Sequence, residues 1–186
     1  MLVSKTPIVG LQVIAPHRFS DARGFFCESW NKQKLAEAGL DLPEFVQDNH
    51  SLSHRVGTLR GMHLQVPPFA QGKLVRCGRG RILDVAVDVR VGSPTYGRWH
   101  AEELSFENGR QLWIPAGFLH GFITREADSE IIYKCTAPYH APSDRTVRWD
   151  SIGIDWGYAE PLLSEKDAHA PSLAEFVSPF MYELNS

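Results

Sequence analysis

Short apolar runs broken by Gly, Pro, Asp or Asn recur along almost the whole chain, and runs bounded by such turn residues read as strands. Leu11–Ile14 and Phe25–Trp30 lie on either side of the turn sequence Ser20–Gly24. Arg81–Arg90 alternates, with Val85, Val87 and Val89 on one face and Asp84, Asp88 and Arg90 on the other. After the turn Gly92–Gly97, further strands are expected at Trp99–Ser105, Gln111–Ile114, Gly121–Thr124, Glu130–Thr136 and Thr146–Trp149. Asn31–Gly39 reads as a helix, with Asn31 placed to cap it, Leu35 and Ala38 recurring on one face, and Gly39 placed to end it. The tail has room only for short helical turns. No repeat, low-complexity run or linker interrupts the series, so one domain over residues 1–186 is expected. Many short strands with one early helix predict an all-β sandwich or barrel.

Composition narrows the class. Apolar residues make up 43% and charged residues 22%, as in a soluble globular protein rather than a disordered one. Nineteen basic against 22 acidic residues leave a formal charge of −3, so neither nucleic acid nor an anionic membrane is an expected partner. An anionic ligand would have to be held by local basic residues. The three cysteines, Cys27, Cys77 and Cys135, are odd in number and form no C-x-x-C pair, which favours thiols in a reducing cytoplasm over a disulfide framework or thiolate zinc site. The opening MLVSKTPIVG has no signal-peptide core, and no apolar run approaches membrane-spanning length.

The segment Gly57–Val75 sets His63 between Arg60 and Lys73, and a second histidine, His120, ends a Pro-Ala-Gly-Phe-Leu-His element. Other sites are missing their key residues. Gly78-Arg-Gly80 lacks the third glycine of a dinucleotide loop, Gly72-Lys73 lacks the upstream glycine of a P-loop, and neither G-x-S-x-G nor H-E-x-x-H occurs. The basic cluster Lys73, Arg76, Arg79, Arg81 reads as a solvated hairpin or a small phosphate site. Small jelly rolls often hold a metal through H-x-H and a later histidine after P-x-G. Here Gln65 stands where the second histidine would be, and two imidazoles with a weak amide make a poor divalent site, so no metal is expected.

Freed from a metal, a histidine with an ordinary pKa of about 6.5 suits proton abstraction. A core role for His63 is the bland alternative. Its neighbours favour chemistry. A carbon next to a ketone is acidic only if the enolate oxygen is stabilised as it forms, and Lys73 is a point charge suited to that oxygen. Arg60 suits a phosphate in a bidentate fork. In a regular strand Arg60 and His63 would point to opposite faces, unless Gly61 marks a bulge that resets the parity. Tyr133 shares parity with Ile131 and Cys135 and so belongs on an inward face, suited to donate a proton.

Taken together, DARGFFCESW, FVQDNHS, TLRGMHLQ, AQGKLVRC, DVAVDVR, GSPTYGRW, QLWIPAGFLHGF, YKCTAPY and LSEKDA run nearly end to end in a family's order and spacing. The chain resembles the dTDP-4-dehydrorhamnose 3,5-epimerases. The resemblance implies a metal-free, cofactor-free jelly roll of cupin type with a few short peripheral helices, working as a cytoplasmic homodimer. It implies inversion of C3 and C5 of dTDP-4-dehydro-6-deoxy-D-glucose to give dTDP-4-dehydro-L-rhamnose. By resemblance, His63 is the general base, Asp167 the carboxylate that orients it, Tyr133 the proton donor and Lys73 the enolate stabiliser. Arg23, Glu28, Gln47, Asp48, Asn49, Arg60, His120 and Lys166 fall on substrate-contacting positions, and Tyr139 on a tyrosine that stacks on thymine. Asp144 stands where relatives carry glutamate, and APYHAP replaces a Tyr-Tyr pair of some relatives.

Three rival readings remain at this level. One is a single-centre epimerase or ketoisomerase using the same base. Another is a non-catalytic sugar-nucleotide binder, which has no need for His63, Lys73, Tyr133 and Asp167 together. A metal-dependent cupin enzyme is the third.

Overall fold

The structure, a computed structural model, describes residues 1–183. Thirteen strands, β1 (Leu2–Lys5), β2 (Gln12–Ala15), β3 (Arg18–Asp21), β4 (Gly24–Cys27), β5 (Gln47–Ser53), β6 (Leu59–Gln65), β7 (Lys73–Arg79), β8 (Arg81–Asp88), β9 (Trp99–Ser105), β10 (Gln111–Ile114), β11 (Phe118–Thr124), β12 (Ser129–Cys135) and β13 (Asp144–Thr146), account for most of the regular structure. Two short helices, α1 (Lys32–Glu37) and α2 (Glu165–Ala168), are peripheral. A six-stranded sheet ordered β1-β2-β10-β7-β12-β5 and a five-stranded sheet ordered β13-β6-β11-β8-β9 form the all-β body, and β3 and β4 make a separate hairpin. The strand pairings within these sheets are antiparallel, as the cupin-type jelly roll requires.

Apolar side chains lie on both faces of both sheets. Val75, Cys77, Ile82, Ala86, Leu112, Ile114 and Ile131 pack in a cluster with side chains drawn from both sheets. Behind the six-stranded sheet, Trp113 and Leu74 are covered by Leu35 of α1 and by Leu40 and Leu42 after it. Behind the five-stranded sheet, Val85, Val87 and Val89 pack under Ile154, Trp156 and Val147 of the C-terminal segment. Fully burying one such side chain contributes about 1.5–3 kcal/mol, so both covers are strongly held. This explains how β8 departs from a simple inside–outside reading. Its valines face the C-terminal cover, and Asp84 and Asp88, both fully buried, share parity with Ile82 and Ala86.

Local signals hold well. Asn31 Oδ1 accepts from the Lys34 amide at 3.0 Å, and Gly39, at φ +84°, closes α1 through its N–H to Ala36. Leu35 is the buried residue of that short helix, whereas Ala38 is exposed. The strand expected at Thr146–Trp149 is instead β13, ending at Thr146, followed by a 3-10 turn from Trp149 to Ser151. Val147 still exchanges backbone hydrogen bonds with Met62, and only at Arg148 does the chain turn away, its amide donating to the Pro171 carbonyl at 2.7 Å.

The bulge suspected at Gly61 is real. His120 pairs with His63 but Phe122 pairs with Arg60, so β6 spends one more residue than β11 between the two pairs. Gly61 has φ +128°, and a Cβ there would lie 2.6 Å from the Gly121 Cα and 2.8 Å from the His120 carbonyl oxygen. Gly61→Ala should therefore cost upwards of about 2 kcal/mol in urea unfolding. Gly24→Ala, at φ +131° with nothing near its Cβ, should cost only the backbone strain of roughly 1 kcal/mol. Equal losses would show that close packing at the bulge is unimportant.

Candidate active site

The C-terminal segment delivers a carboxylate to β6. Leu162 is pinned beside the start of β6, its amide on the Gly57 carbonyl at 2.8 Å and its carbonyl accepting from Leu59 at 2.9 Å. Two residues later Ser164 caps α2, its hydroxyl accepting from the Asp167 amide at 3.2 Å. That turn directs Asp167 inward, where it is 2% exposed and its Oδ1 lies 2.6 Å from His63 Nε2. Burial pushes the Asp167 pKa up, but hydrogen bonds with His63, Ser164 and the Gly61 N–H outweigh it and hold the carboxyl below its ordinary range. The His63 Nε2–H then points at Asp167, which leaves Nδ1 as the ring nitrogen for other work.

His120, opposite His63 in the β6–β11 register, forms a second histidine–carboxylate pair, its Nε2 lying 2.7 Å from Asp84 Oδ1. Both are buried, and Asp84 Oδ2 has no hydrogen-bond partner among the described residues. Asp84 and Ser164 were not singled out in the sequence. The available signal for Asp84 was its parity with Ile82 and Ala86, a carboxylate in the middle of an apolar face.

Lys73 and Tyr133 come from the other sheet, on β7 and β12, with Tyr133 opposite Val75. Lys73 makes no hydrogen bond or ion pair among the described residues. Burial pushes its pKa down, against the opposing pull of the Cys135, Asp144 and Asp84 groups. Burial pushes the Tyr133 phenol up, further helped by Cys135, with Arg60 opposing. A cavity of about 520 Å³ opens between them and is lined by His63, Asp167, His120, Arg60, Lys73, Tyr133 and Lys166. Arg60 therefore reaches the same space as His63, which the Gly61 bulge permits. Its guanidinium Nε donates to Ser53 at 3.3 Å.

The cleft continues past His63 and Lys73 to Gln47, Asn49, Tyr139 and Asp144. Lys166 is paired with Asp144, and the Tyr139 hydroxyl lies 3.5 Å from the same carboxylate. The shorter aspartate thus bridges two other predicted contacts. Three predicted residues are not brought here. Asp48 points to the opposite face of β5, paired with Lys134 at 2.9 Å. Glu28 is held by Lys34 and Asn31 at the start of α1. Arg23 sits exposed at the tip of the β3–β4 hairpin, bonded to Asp21.

The basic cluster seen in sequence is divided. Lys73 enters the cavity, whereas Arg79 pairs with Glu130 and Arg81 with Glu126. Among the described residues no group of three or more His, Cys, Asp or Glu side chains is placed to hold a metal ion. The Gln65 amide is committed to backbone groups of neighbouring loops.

Comparison with known proteins fits this arrangement. The family model described as dTDP-4-dehydrorhamnose 3,5-epimerase matches residues 5–175. A dTDP-4-dehydrorhamnose 3,5-epimerase of Sinorhizobium fredii is 53% identical, with 98% of this chain and 94% of that protein covered. A Legionella pneumophila dTDP-6-deoxy-D-glucose-3,5-epimerase, solved with dTDP-4-keto-L-rhamnose, superposes with TM-score 0.91 at 42% identity over 98% of each chain. A Bacillus anthracis dTDP-4-dehydrorhamnose 3,5-epimerase, solved with TDP and PPi, superposes with TM-score 0.89 at 42% identity, over 92% of this chain and 98% of that one.

The depressed Asp167 pKa has a definite sign in stability. Its contribution is complete above the unfolded value of about 3.9 and is lost as pH falls through the lower folded value. In urea titrations the stability gap between the native protein and Asp167→Asn should be widest near neutrality and shrink below about pH 3.9. A gap independent of pH would contradict this reading of the carboxylate.

Proposed function

The chain belongs to the dTDP-4-dehydrorhamnose 3,5-epimerase family and is an isomerase of that kind, and on this premise we propose how its residues carry the reaction. The substrate is dTDP-4-dehydro-6-deoxy-D-glucose and the product dTDP-4-dehydro-L-rhamnose. The 4-keto group acidifies C3–H and C5–H on either side of it, and it is itself the electron sink, so no cofactor is consumed. His63 takes each proton on Nδ1, while Asp167 accepts the Nε2–H and stabilises the imidazolium that forms. The electron pair left on carbon moves onto the ketone oxygen, where the Lys73 ammonium stabilises the enolate. Collapse of each enolate takes the phenol proton of Tyr133 on the opposite ring face; solvent then reprotonates the phenolate and removes the proton held by His63, so each centre starts from the same protonation state.

One observation carries this reading: the base and the proposed donor enter one cavity from facing sheets, His63 on β6 and Tyr133 on β12. Inversion requires the proton to leave one face and arrive on the other. Tyr133 suits the second task because its phenol, ordinarily titrating at about 10 and pushed higher by burial, carries its proton at neutral pH. A binding module would gain nothing from a half-buried phenol opposite a carboxylate-oriented imidazole.

We further assign the outer cleft to the nucleotide. Lys166, which lines both the cavity and the outer cleft, and Arg60 on the cavity wall supply positive charge for a diphosphate, His120 of the cavity and Asn49 of the cleft supply polar contacts, and Tyr139, 61% exposed, offers a ring face for thymine. Arg23 and Glu28 do not reach this cleft within one chain. Their hairpin also exposes Phe19 at 59% and Phe26 at 70%, as a surface meant for a second copy would. We therefore assign a homodimer in which the hairpin of one protomer completes the cleft of its partner. A cytoplasmic location accords with three unpaired cysteines.

The test is hydrogen exchange in heavy water with the keto sugar nucleotide. Deuterium should enter C3 and C5 with the native protein, and His63→Asn should lower the rate at both carbons by roughly a thousandfold or more. Tyr133→Phe should retain exchange while slowing net inversion by about a hundredfold. Inversion without deuterium uptake, or full exchange in His63→Asn, would sink the mechanism.

A further inference from the structure

The backbone that carries Tyr139 belongs to neither sheet, and glutamine side chains hold it instead. Four consecutive groups are taken in this way. Gln71 Nε2 donates to the Ala137 carbonyl at 2.6 Å, and Gln65 Nε2 donates to the Pro138 carbonyl at 3.1 Å. The Tyr139 amide donates to Gln47 Oε1 at 2.8 Å, and the His140 amide to Gln65 Oε1 at 2.7 Å. Gln65 Nε2 also donates to the Phe69 carbonyl at 2.7 Å, and the Phe69 ring stacks on His140 at 4.0 Å. Gln65 is 4% exposed, so its own three bonds start from a buried side chain, whereas Tyr139 beside them is 61% exposed.

A rigid backbone under an exposed ring has a purpose only if the ring meets something. Ordering a loop on binding costs affinity, and a loop ordered beforehand avoids that cost. We propose that Gln65 is a positioning residue for nucleotide recognition, its buried amide fixing the 137–140 backbone so that the Tyr139 ring is already in place to stack on the base. The inference rests on the reading of Tyr139 as the thymine platform. It also gives the His63-x-Gln65 spacing a meaning: the side chain at the position of a second metal-binding histidine is turned to loop construction.

Gln65→Glu tests it, because the isostere keeps shape and the acceptor for His140 but loses both donors and sets a carboxylate oxygen against two carbonyls. Titration calorimetry with thymidine diphosphate would be run on the native protein, Gln65→Glu, Tyr139→Ala and the double variant, with thermal unfolding as the check of folding. Gln65→Glu should weaken binding and raise KM by roughly tenfold with kcat within about twofold of native. In the Tyr139→Ala background the same change should cost nothing more, because the ring it positions is gone. An equal loss in both backgrounds, or a loss in kcat without one in KM, would overturn the inference while leaving the epimerase reading intact. If Gln65→Glu does not fold, Gln71→Ala, which removes only the donor to Ala137, runs through the same cycle with an expected loss of about threefold. Failure of the native protein to bind thymidine diphosphate would instead overturn the nucleotide reading, and this inference with it.

Discussion

The hydrogen bond between His63 and Asp167 joins residues 104 positions apart and ties α2 to β6. Much depends on it. The same carboxylate lies 3.4 Å from the Gly61 N–H, so it contacts the bulge and the base together. The bulge in turn brings Arg60 onto the cavity side with His63. A carboxylate buried this deeply is tolerable only with partners, and removing one partner of such a pair is costly. The C-terminal cover is thus more than insulation for the valines of β8. It carries the group that fixes the tautomer of the base.

The two sheets divide the labour. The five-stranded sheet holds both histidines and Asp84, with Asp167 brought to it by α2, and the six-stranded sheet holds the lysine and the tyrosine. A reaction that must move protons between the two faces of a sugar ring is matched by a cavity with chemistry on both walls. Burial acts on the second wall in opposite senses, favouring the protonated Tyr133 phenol but working against the Lys73 ammonium, whose charge is supported by the pull of Cys135, Asp144 and Asp84. Farther out, side-chain amides of Gln47, Gln65 and Gln71 hold the backbone from Ala137 to His140 where it has left the strands.

What could be read from the sequence was local. Asn31 and Gly39 mark the helix because capping involves only neighbouring residues, and Trp99–Ser105 and Gln111–Ile114 coincide with β9 and β10 because period-two patterning is a property of the strand itself. The Gly61 bulge was legible as a parity conflict between Arg60 and His63. The link between His63 and Asp167 was not, since spacing says nothing about a contact across 104 residues, and only family resemblance pointed to it. Asp84 went unrecognised as a site residue for another reason. Alternation tells two faces apart but not which faces the cavity, and here both are covered. Where the chain turns away from β6 depended on Arg148 finding Pro171, again a distant partner. Asp48 shows the limit of transferring roles by position, because its neighbours Gln47 and Asn49 face the cleft while it does not.

The central claim is that Asp167 holds His63 with Nε2 protonated and Nδ1 free to accept the substrate proton. Nitrogen-15 NMR of protein labelled at histidine measures this directly, with His63 assigned by comparison with His63→Asn. At a pH where the ring is neutral, Nε2 should show the shift of a protonated nitrogen and Nδ1 that of an unprotonated one, and Asp167→Ala should mix the two tautomers. A neutral ring that carries its proton on Nδ1 in the native protein, or a tautomer indifferent to the loss of Asp167, would contradict the account.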